Sequence, residues 1–390
     1  MPFYKNKNFF KHSIKSTQKR NFFIITSEFP PLPGGIGNHA YNLTKYLISS
    51  GYTIEVVTPF RSKNIENEIN YDKGLNFKVY RYQKKIKNYI ILFFKLLKKG
   101  NVNPRSTFIA SGMIPLIICG LYKFFFNKNK TILFAHGSDI NTKNFFFKIF
   151  VSFTINYFDL IIVNSNYTSK IIQRNHKKRS TVINNGIDLK LFKKISDFDK
   201  TKVLNLNKLK IVTVGTISER KGQKNIIEIL PELIKKYKNI TYHMIGLPKD
   251  SGCIMKLAKK KNVVDNIFIH GALSNIEMIK VLKSSDIFMM LSEKTSNGEY
   301  EGFGIAVIEA NYLGIPAIGS KACGLSDSII NGKTGFLVNP KNKKEILSSF
   351  NSIIKQYGNF SKASKIHAEK YSWDNVIIKY IEILRNKNVL

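Results

Sequence analysis

FFIITSEFPPLPGGIGNHAYNLTKYLISSGYTIEVVT, residues 22–58, passes twice through a buried-strand pattern with a helical pattern in between. Residues 22–26 are an unbroken run of apolar and β-branched side chains, too short for a core helix. A loop rich in proline and glycine, from Glu28 to Gly37, ends that run. Residues 39–50 then space their apolar positions as a helix does, up to Gly51, and residues 53–58 are the next strand. Strands that lack polar alternation are buried on both faces, and a helix joining two of them makes them parallel.

The unit repeats outward. Residues 107–111, 131–135, 160–163 and 181–183 are further strands, the last leading into the turn Asn184-Asn185-Gly186. Residues 189–208 are polar, rich in Lys and Asp and weakly periodic, which predicts a linker. The alternation then restarts with a strand at 210–214 and a helix at 223–236. Strands follow at 242–245, 267–269, 287–291, 316–319 and 335–338. The expected fold class is α/β, with two doubly wound, Rossmann-like domains at 21–188 and 209–373. Their ligand cleft lies between them, at the carboxyl ends of the strands.

The chain has 390 residues, 43% of them hydrophobic, which is enough for a sizeable core and excludes disorder. Cys119, Cys253 and Cys323 are odd in number and far apart, so they predict neither a disulfide framework nor a metal site, and fit a reducing compartment. Lys and Arg total 62 against 26 Asp and Glu, a formal charge of +36. Such a surplus calls for a polyanionic partner, nucleic acid or an anionic membrane. It is unevenly spread: from Lys73 to Gly137 there are 13 Lys or Arg and no acid, and up to Asp188 only Asp139 and Asp159 interrupt. No stacking-aromatic motif, helix-turn-helix or zinc finger supports a specific nucleic-acid partner.

Residues 1–20 are basic and lack the apolar segment of a secretory signal, so they are expected to be an arm. Residues 106–122 are uncharged, but Gly112, Pro115 and Gly120 interrupt them and a span needs about 20 apolar residues. A buried strand followed by a core helix is expected there. Residues 84–99 (KKIKNYIILFFKLLKK) differ. On a helical wheel Lys84, Lys87, Lys95, Lys98 and Lys99 fall in one arc and most apolar residues in the other, with Ile91 and Leu92 breaking the separation. The pattern suits an interfacial helix on anionic lipid and also a surface helix packed on a sheet; the charge favours the membrane. The Lys-flanked triplets 124–126 and 145–147, all Phe, either extend that surface or belong to the core.

Four clusters follow strands. Gly34 and Gly35 stand before a helix, where backbone approaches a phosphate or sugar closely. His136 and Asp139, in HGSD, directly follow the strand 131–135 and point at the cleft. In VGTISERKG, Thr216 follows the glycine, and Arg220 with Lys221 precedes a helix, a charge pair suited to a diphosphate. The most specific cluster is EGFGIAVIEA, residues 301–310. If Gly302, Phe303 and Gly304 open a helix, its free N–H groups face an anion, and Glu301 and Glu309, two turns in, reach one elongated ligand. Carboxylates accept hydrogen bonds from sugar hydroxyls.

Taken in order, these segments resemble the family 4 retaining glycosyltransferases of GT-B fold, the group with the bacterial hexosyl- and mannosyltransferases. The matching wording is PPLPGGIGNHAYNLTKYLISSGYTIEVVTP, HGSD, INNGID, VGTISERKG, SSDIFMMLSE, EGFGIAVIEANYLGIPAIGS and NGKTGFLV, nearly the whole length. The ending YSWDNVIIKYIEI resembles the family's last helix, about residues 374–390, which rejoins the N-terminal domain.

The resemblance implies that Glu309 binds the ribose, that Glu301 contacts the donor sugar, and that the amides of Gly302, Phe303 and Gly304 hold sugar and diphosphate. It further implies that Arg220 and Lys221 neutralise the leaving group, that Gly34 and Gly35 line the phosphate side, and that His136 lies at the anomeric centre. No metal or other cofactor is expected, the nucleotide sugar being a co-substrate. Departures are Thr216 where the family often has Arg, Leu291 where many members have Pro, Cys323 in place of a glycine, and a longer loop at 294–300.

The expectation is thus a cytoplasmic retaining hexosyltransferase, peripheral on the inner face of the plasma membrane. It takes a UDP- or GDP-sugar to a lipid-linked, glycolipid or polysaccharide acceptor. A nucleotide-sugar epimerase or hydrolase of the same fold is the alternative, and a basic nucleic-acid-binding protein the remoter one.

Overall fold

The computed structural model describes residues 21–137, 139–142, 144–195 and 204–389. The expected arm at 1–20 and part of the expected linker lie outside them. The chain forms two parallel sheets, each covered by helices on both faces.

The first sheet holds β1 (Asn21–Thr26), β2 (Thr53–Pro59), β3 (Lys78–Tyr82), β4 (Thr107–Ser111), β5 (Lys130–Ala135), β6 (Leu160–Val163) and β7 (Thr181–Val182). Their order is β3-β2-β1-β4-β5-β6-β7. The second holds β8 (Lys210–Val214), β9 (Thr241–Ile245), β10 (Ile267–Gly271), β11 (Ile287–Met290), β12 (Ala317–Ser320) and β13 (Gly335–Val338), in the order β10-β9-β8-β11-β12-β13. In both, strand order reverses beside the first strand, between β1 and β4 and between β8 and β11. Crossover helices diverge there and leave a crevice at the strands' carboxyl ends. The motif loops after β1, β5, β8 and β11 therefore converge on one region.

The central strands are the apolar runs that predicted them: every residue of β4, β6, β11 and β12 is buried. Residues 106–122 are β4 and the start of helix Met113–Phe126, and no helix of the described residues is long and apolar enough to cross a membrane. One edge strand, β3, was not foreseen. Its KVYRY sequence carries Arg81, whose side chain is buried because Glu68 and Asp72 of helix Ile65–Lys73 both bind it.

Helix Ile86–Val102 corrects the wheel drawn for it. Leu92 belongs to the stripe that packs on the sheet, with Leu96 and Gly100, and does not break the pattern. Lys99 does not join the outward lysines: it pairs with Glu55 and lies 4.5 Å from the centre of the Phe23 ring.

The expected linker also needs correction, since Leu189–Ile195 is a helix whose Phe192 packs on Tyr312 of the second half. The final helix, Trp373–Asn386, returns to the first sheet. Its Trp373, Val376, Tyr380 and Leu384 share a core with Phe22, Ile24, Leu43 and Ile109. The chain thus crosses between the halves twice, and the crossings are bonded together. Ile187 N donates to Tyr371 O at 2.8 Å, and Trp373 N to Ile187 O at 3.2 Å.

Candidate active site

A cleft of about 630 Å³ lies between the two sheets. Gly34, Gly35 and His136 line it from the first half, and Arg220, Lys221, Glu301, Gly302, Phe303, Gly304 and Glu309 from the second.

On the second side, β8 is followed by Gly215, whose φ of +143° is open to glycine. A Cβ there would lie 2.7 Å from Lys221 Cε, so the glycine makes room for the lysine to fold back. Lys221 is consequently buried, with Nζ 2.8 Å from Glu301 Oε2. Arg220 Nη1 donates to the same oxygen. Glu301 is buried as well, which opposes ionisation, but Lys221 and Arg220 overcome that and hold its carboxyl down at about 2. For Lys221, burial outweighs the attraction of Glu301 and lowers its value from the usual lysine range. The result is a carboxylate bridging two cations, with one net positive charge facing the cleft.

Helix Ile305–Tyr312 begins directly after Gly304 and has no side-chain cap, so its first N–H groups stay available. Glu309 lies in its second turn, one turn closer to the start than the sequence suggested. Burial pushes the Glu309 carboxyl up to about 7, against the pull of Lys221. Phe303 turns its ring into the core against Tyr371, at 5.6 Å between centroids, which leaves only its backbone for the cleft. Thr216 is not part of the lining; its carbonyl accepts from Gln223 Nε2 at 3.2 Å.

On the first side, His136 follows β5 and shares a hydrogen bond of 2.9 Å between its Nε2 and Ser111 Oγ, at the end of β4. Burial pushes its imidazole down to about 4, so the ring is neutral near pH 7. Asp139 is buried beneath the loop, away from the lining, where it accepts from the His136 and Gly137 amides, both at 2.9 Å. Burial raises its carboxyl to about 6 against those N–H groups. Asp139 therefore shapes the loop that presents His136.

The two sides touch at Gly302, where any Cβ would collide with the His136 carbonyl oxygen. Asn141 Nδ2 donates to Gly298 O at 2.6 Å, and Tyr167 meets Tyr300 edge-on at 5.0 Å. The longer loop before Glu301 thus reaches across the cleft. Sequence reasoning did not single out Ser111, Tyr300 or Asn164, whose Nδ2 donates to the His136 carbonyl at 3.2 Å. Position at a strand end was the available signal for Ser111, and adjacency to Glu301 for Tyr300. His39 was missed too: its ring lies 4.9 Å from that of His136, and its Nε2 is 2.8 Å from Tyr380 OH on the returning helix.

Comparison with known proteins agrees with this layout. Residues 33–191 match the family model described as Glycosyltransferase Family 4, and residues 194–373 the one described as Glycosyl transferases group 1. An uncharacterised glycosyltransferase of Methanocaldococcus jannaschii is 26% identical, over 94% of this chain and 98% of its own. A GDP-mannose-dependent monoacylated alpha-(1-6)-phosphatidylinositol monomannoside mannosyltransferase of Corynebacterium glutamicum is 22% identical, over 82% and 84%. The structure of Anabaena HepE in complex with UDP superposes with a TM-score of 0.74 at 16% identity, covering 94% of this chain and all of that one.

Proposed function

The chain belongs to glycosyltransferase family 4, and on that premise we propose that it moves a hexose from a UDP- or GDP-sugar to a lipid-linked or polysaccharide acceptor at a membrane surface. The observation that carries the proposal is the meeting of Arg220, Lys221, Glu301 and the open helix start after Gly304 on one wall, opposite His136 on the other. The corynebacterial relative's name, with its GDP-mannose and phosphatidylinositol monomannoside, and the UDP held by HepE support a nucleotide sugar and a lipid-linked acceptor.

In this reading the diphosphate shares the two cations that Glu301 bridges, which frees that carboxylate to accept from the sugar hydroxyls. Glu309 accepts from the ribose. The N–H groups around Gly302–Gly304 and the helix start hold the phosphates. The bond from the anomeric carbon to the phosphate oxygen breaks, and its electron pair leaves with the nucleotide. The acceptor oxygen bonds the same carbon on the same face and gives its proton to the departing phosphate oxygen. Configuration is retained without an enzymic nucleophile, and fixed positive charge supplies the electrostatic stabilisation. His136, neutral, borders the anomeric centre as a hydrogen-bonding wall.

The test is a release assay of the full chain against UDP-, GDP- and ADP-sugars, with and without a membrane extract. One UDP- or GDP-sugar should be turned over, faster with extract and equally well in EDTA, giving a glycosylated lipid or polysaccharide. Release from none of them, or an isomerised sugar without transfer, would overturn the reading.

A further inference from the structure

One side of the first sheet is covered by helices that leave their own aromatic residues in solvent. Helices Ile86–Val102, Met113–Phe126 and Phe145–Thr154 lie side by side there, over β1, β4 and β5. Phe94 is 60% exposed, Phe125 62%, Phe145 68% and Phe146 72%. Ring contacts join the three helices: Phe93 meets Phe94 at 5.8 Å and Phe126 at 6.2 Å, and Phe124 meets Phe125 at 4.9 Å and Phe153 at 5.2 Å. The two helices on the opposite side, Gly35–Ser49 and Trp373–Asn386, expose only one large apolar side chain between them, Ile378. An apolar patch of this extent marks an interaction surface.

Charge names the partner. Lys84, Lys87, Lys95, Lys98, Lys128 and Lys148 are exposed around the rings, and no acid lies between residues 73 and 137 or in helix Phe145–Thr154. Two carboxylates on the adjoining strands and loops are already engaged, Glu55 by Lys99 and Asp159 by Lys123 and Lys130. Two copies meeting through this face would set lysine against lysine. A layer that is apolar within and negative at its surface satisfies both features.

The face also has a direction. A helix that follows a parallel strand runs back from the strand's carboxyl end, so Phe145 and Phe146 stand at the cleft end. The loop just before them carries His136 and Asn141, the latter bonded to Gly298 of the second half. We infer that this three-helix face docks on an anionic bilayer, with Phe145 and Phe146 entering the acyl boundary and the lysines on lipid phosphates. The cleft rim then lies at headgroup level, where a lipid-linked acceptor presents its hydroxyl. The purpose of the docking rests on the function proposed above, but its physical test does not.

The full chain is sedimented with vesicles of phosphatidylglycerol and phosphatidylcholine, and separately with phosphatidylcholine alone. Binding should be strong to the first and weak to the second. The double variant Phe145→Ser/Phe146→Ser should partition at least about tenfold less, while nucleotide release from a soluble donor stays unchanged. Equal binding to both vesicles, no binding to either, or undiminished binding of the variant would overturn the inference. So would a lipid-free dimer that the same variant dissociates, which would make a second copy the occupant. Normal nucleotide release without vesicle binding sinks the docking alone, and vesicle binding without any release sinks the proposed function alone.

Discussion

The two walls of the cleft handle charge in opposite ways. On the second wall a buried carboxylate is kept ionised by two cations, and the group retains a positive charge facing the cleft. On the first wall His136 is neutral and Asp139 is turned inward to backbone amides. In the proposed reaction the second wall would receive the departing anion, while the first, neutral at His136, would give shape and hydrogen bonds. Cations fixed in a site with little water need no reorganisation as charge develops.

The largest effect should come from Lys221→Ala, which removes one cation from the proposed diphosphate position and one of the two cations that balance Glu301. Turnover should fall about 10²–10³-fold in steady-state assays with saturating donor, and activity near that of the parent would erase the difference between the walls. On the other wall, Asp139→Ala strips the cradle from two amides. It should cost about 1–3 kcal/mol, read as a lower midpoint in thermal melts. His136→Ala, by contrast, should lower turnover with little change in the midpoint. Equal melting losses from both would mean that His136 is there only for packing.

Glu309 sharpens the comparison through pH. Its folded value, about 7, lies above the 4.5 of a free glutamic acid. Its contribution to stability is therefore complete below about 4.5 and is lost as pH rises through about 7. Glu309→Gln should melt close to the parent at pH 5 and a few degrees above it at pH 8. Because the ionised form is the better acceptor for ribose hydroxyls, kcat/KM for the donor should rise through pH 7 in the parent and be flat in the variant. A midpoint difference that does not change with pH would place the carboxyl in a different environment. The smallest effect should be that of Thr216→Ala, within about twofold in kcat/KM, since the backbone carbonyl and not the hydroxyl is engaged there. A larger loss would put the threonine on the donor.

Much of the architecture was legible because buried parallel strands announce themselves as short unbroken apolar runs. Residues 107–111, 160–163 and 210–214 became strands with those bounds. β3 escaped because it is an edge strand with a charged residue, and that arginine is tolerable only through Glu68 and Asp72, which no local pattern reveals. Helix Leu189–Ile195 escaped because its lysines and short length hide its anchors, Leu189, Leu191 and Phe192. Among the candidate site residues, the motif wording brought the right loops to the cleft, but periodicity says nothing about pairs such as Arg220 with Glu301, 81 residues apart. The sharing of one carboxylate oxygen by two cations, and the inward turn of Asp139, are products of tertiary packing alone.

The paired crossings between the halves carry a mechanical consequence. A single tether lets two bodies swivel and twist in any sense. Here the segments at Ile187 and Ser372 are bonded side by side, and the helices that follow them, Leu189–Ile195 and Trp373–Asn386, are anchored on opposite halves. Such a strap resists shear and twist and yields most easily to bending across its width. Any opening of the cleft would therefore hinge along this strap like a book along its spine, and would return Gly302 to the His136 carbonyl in the same register.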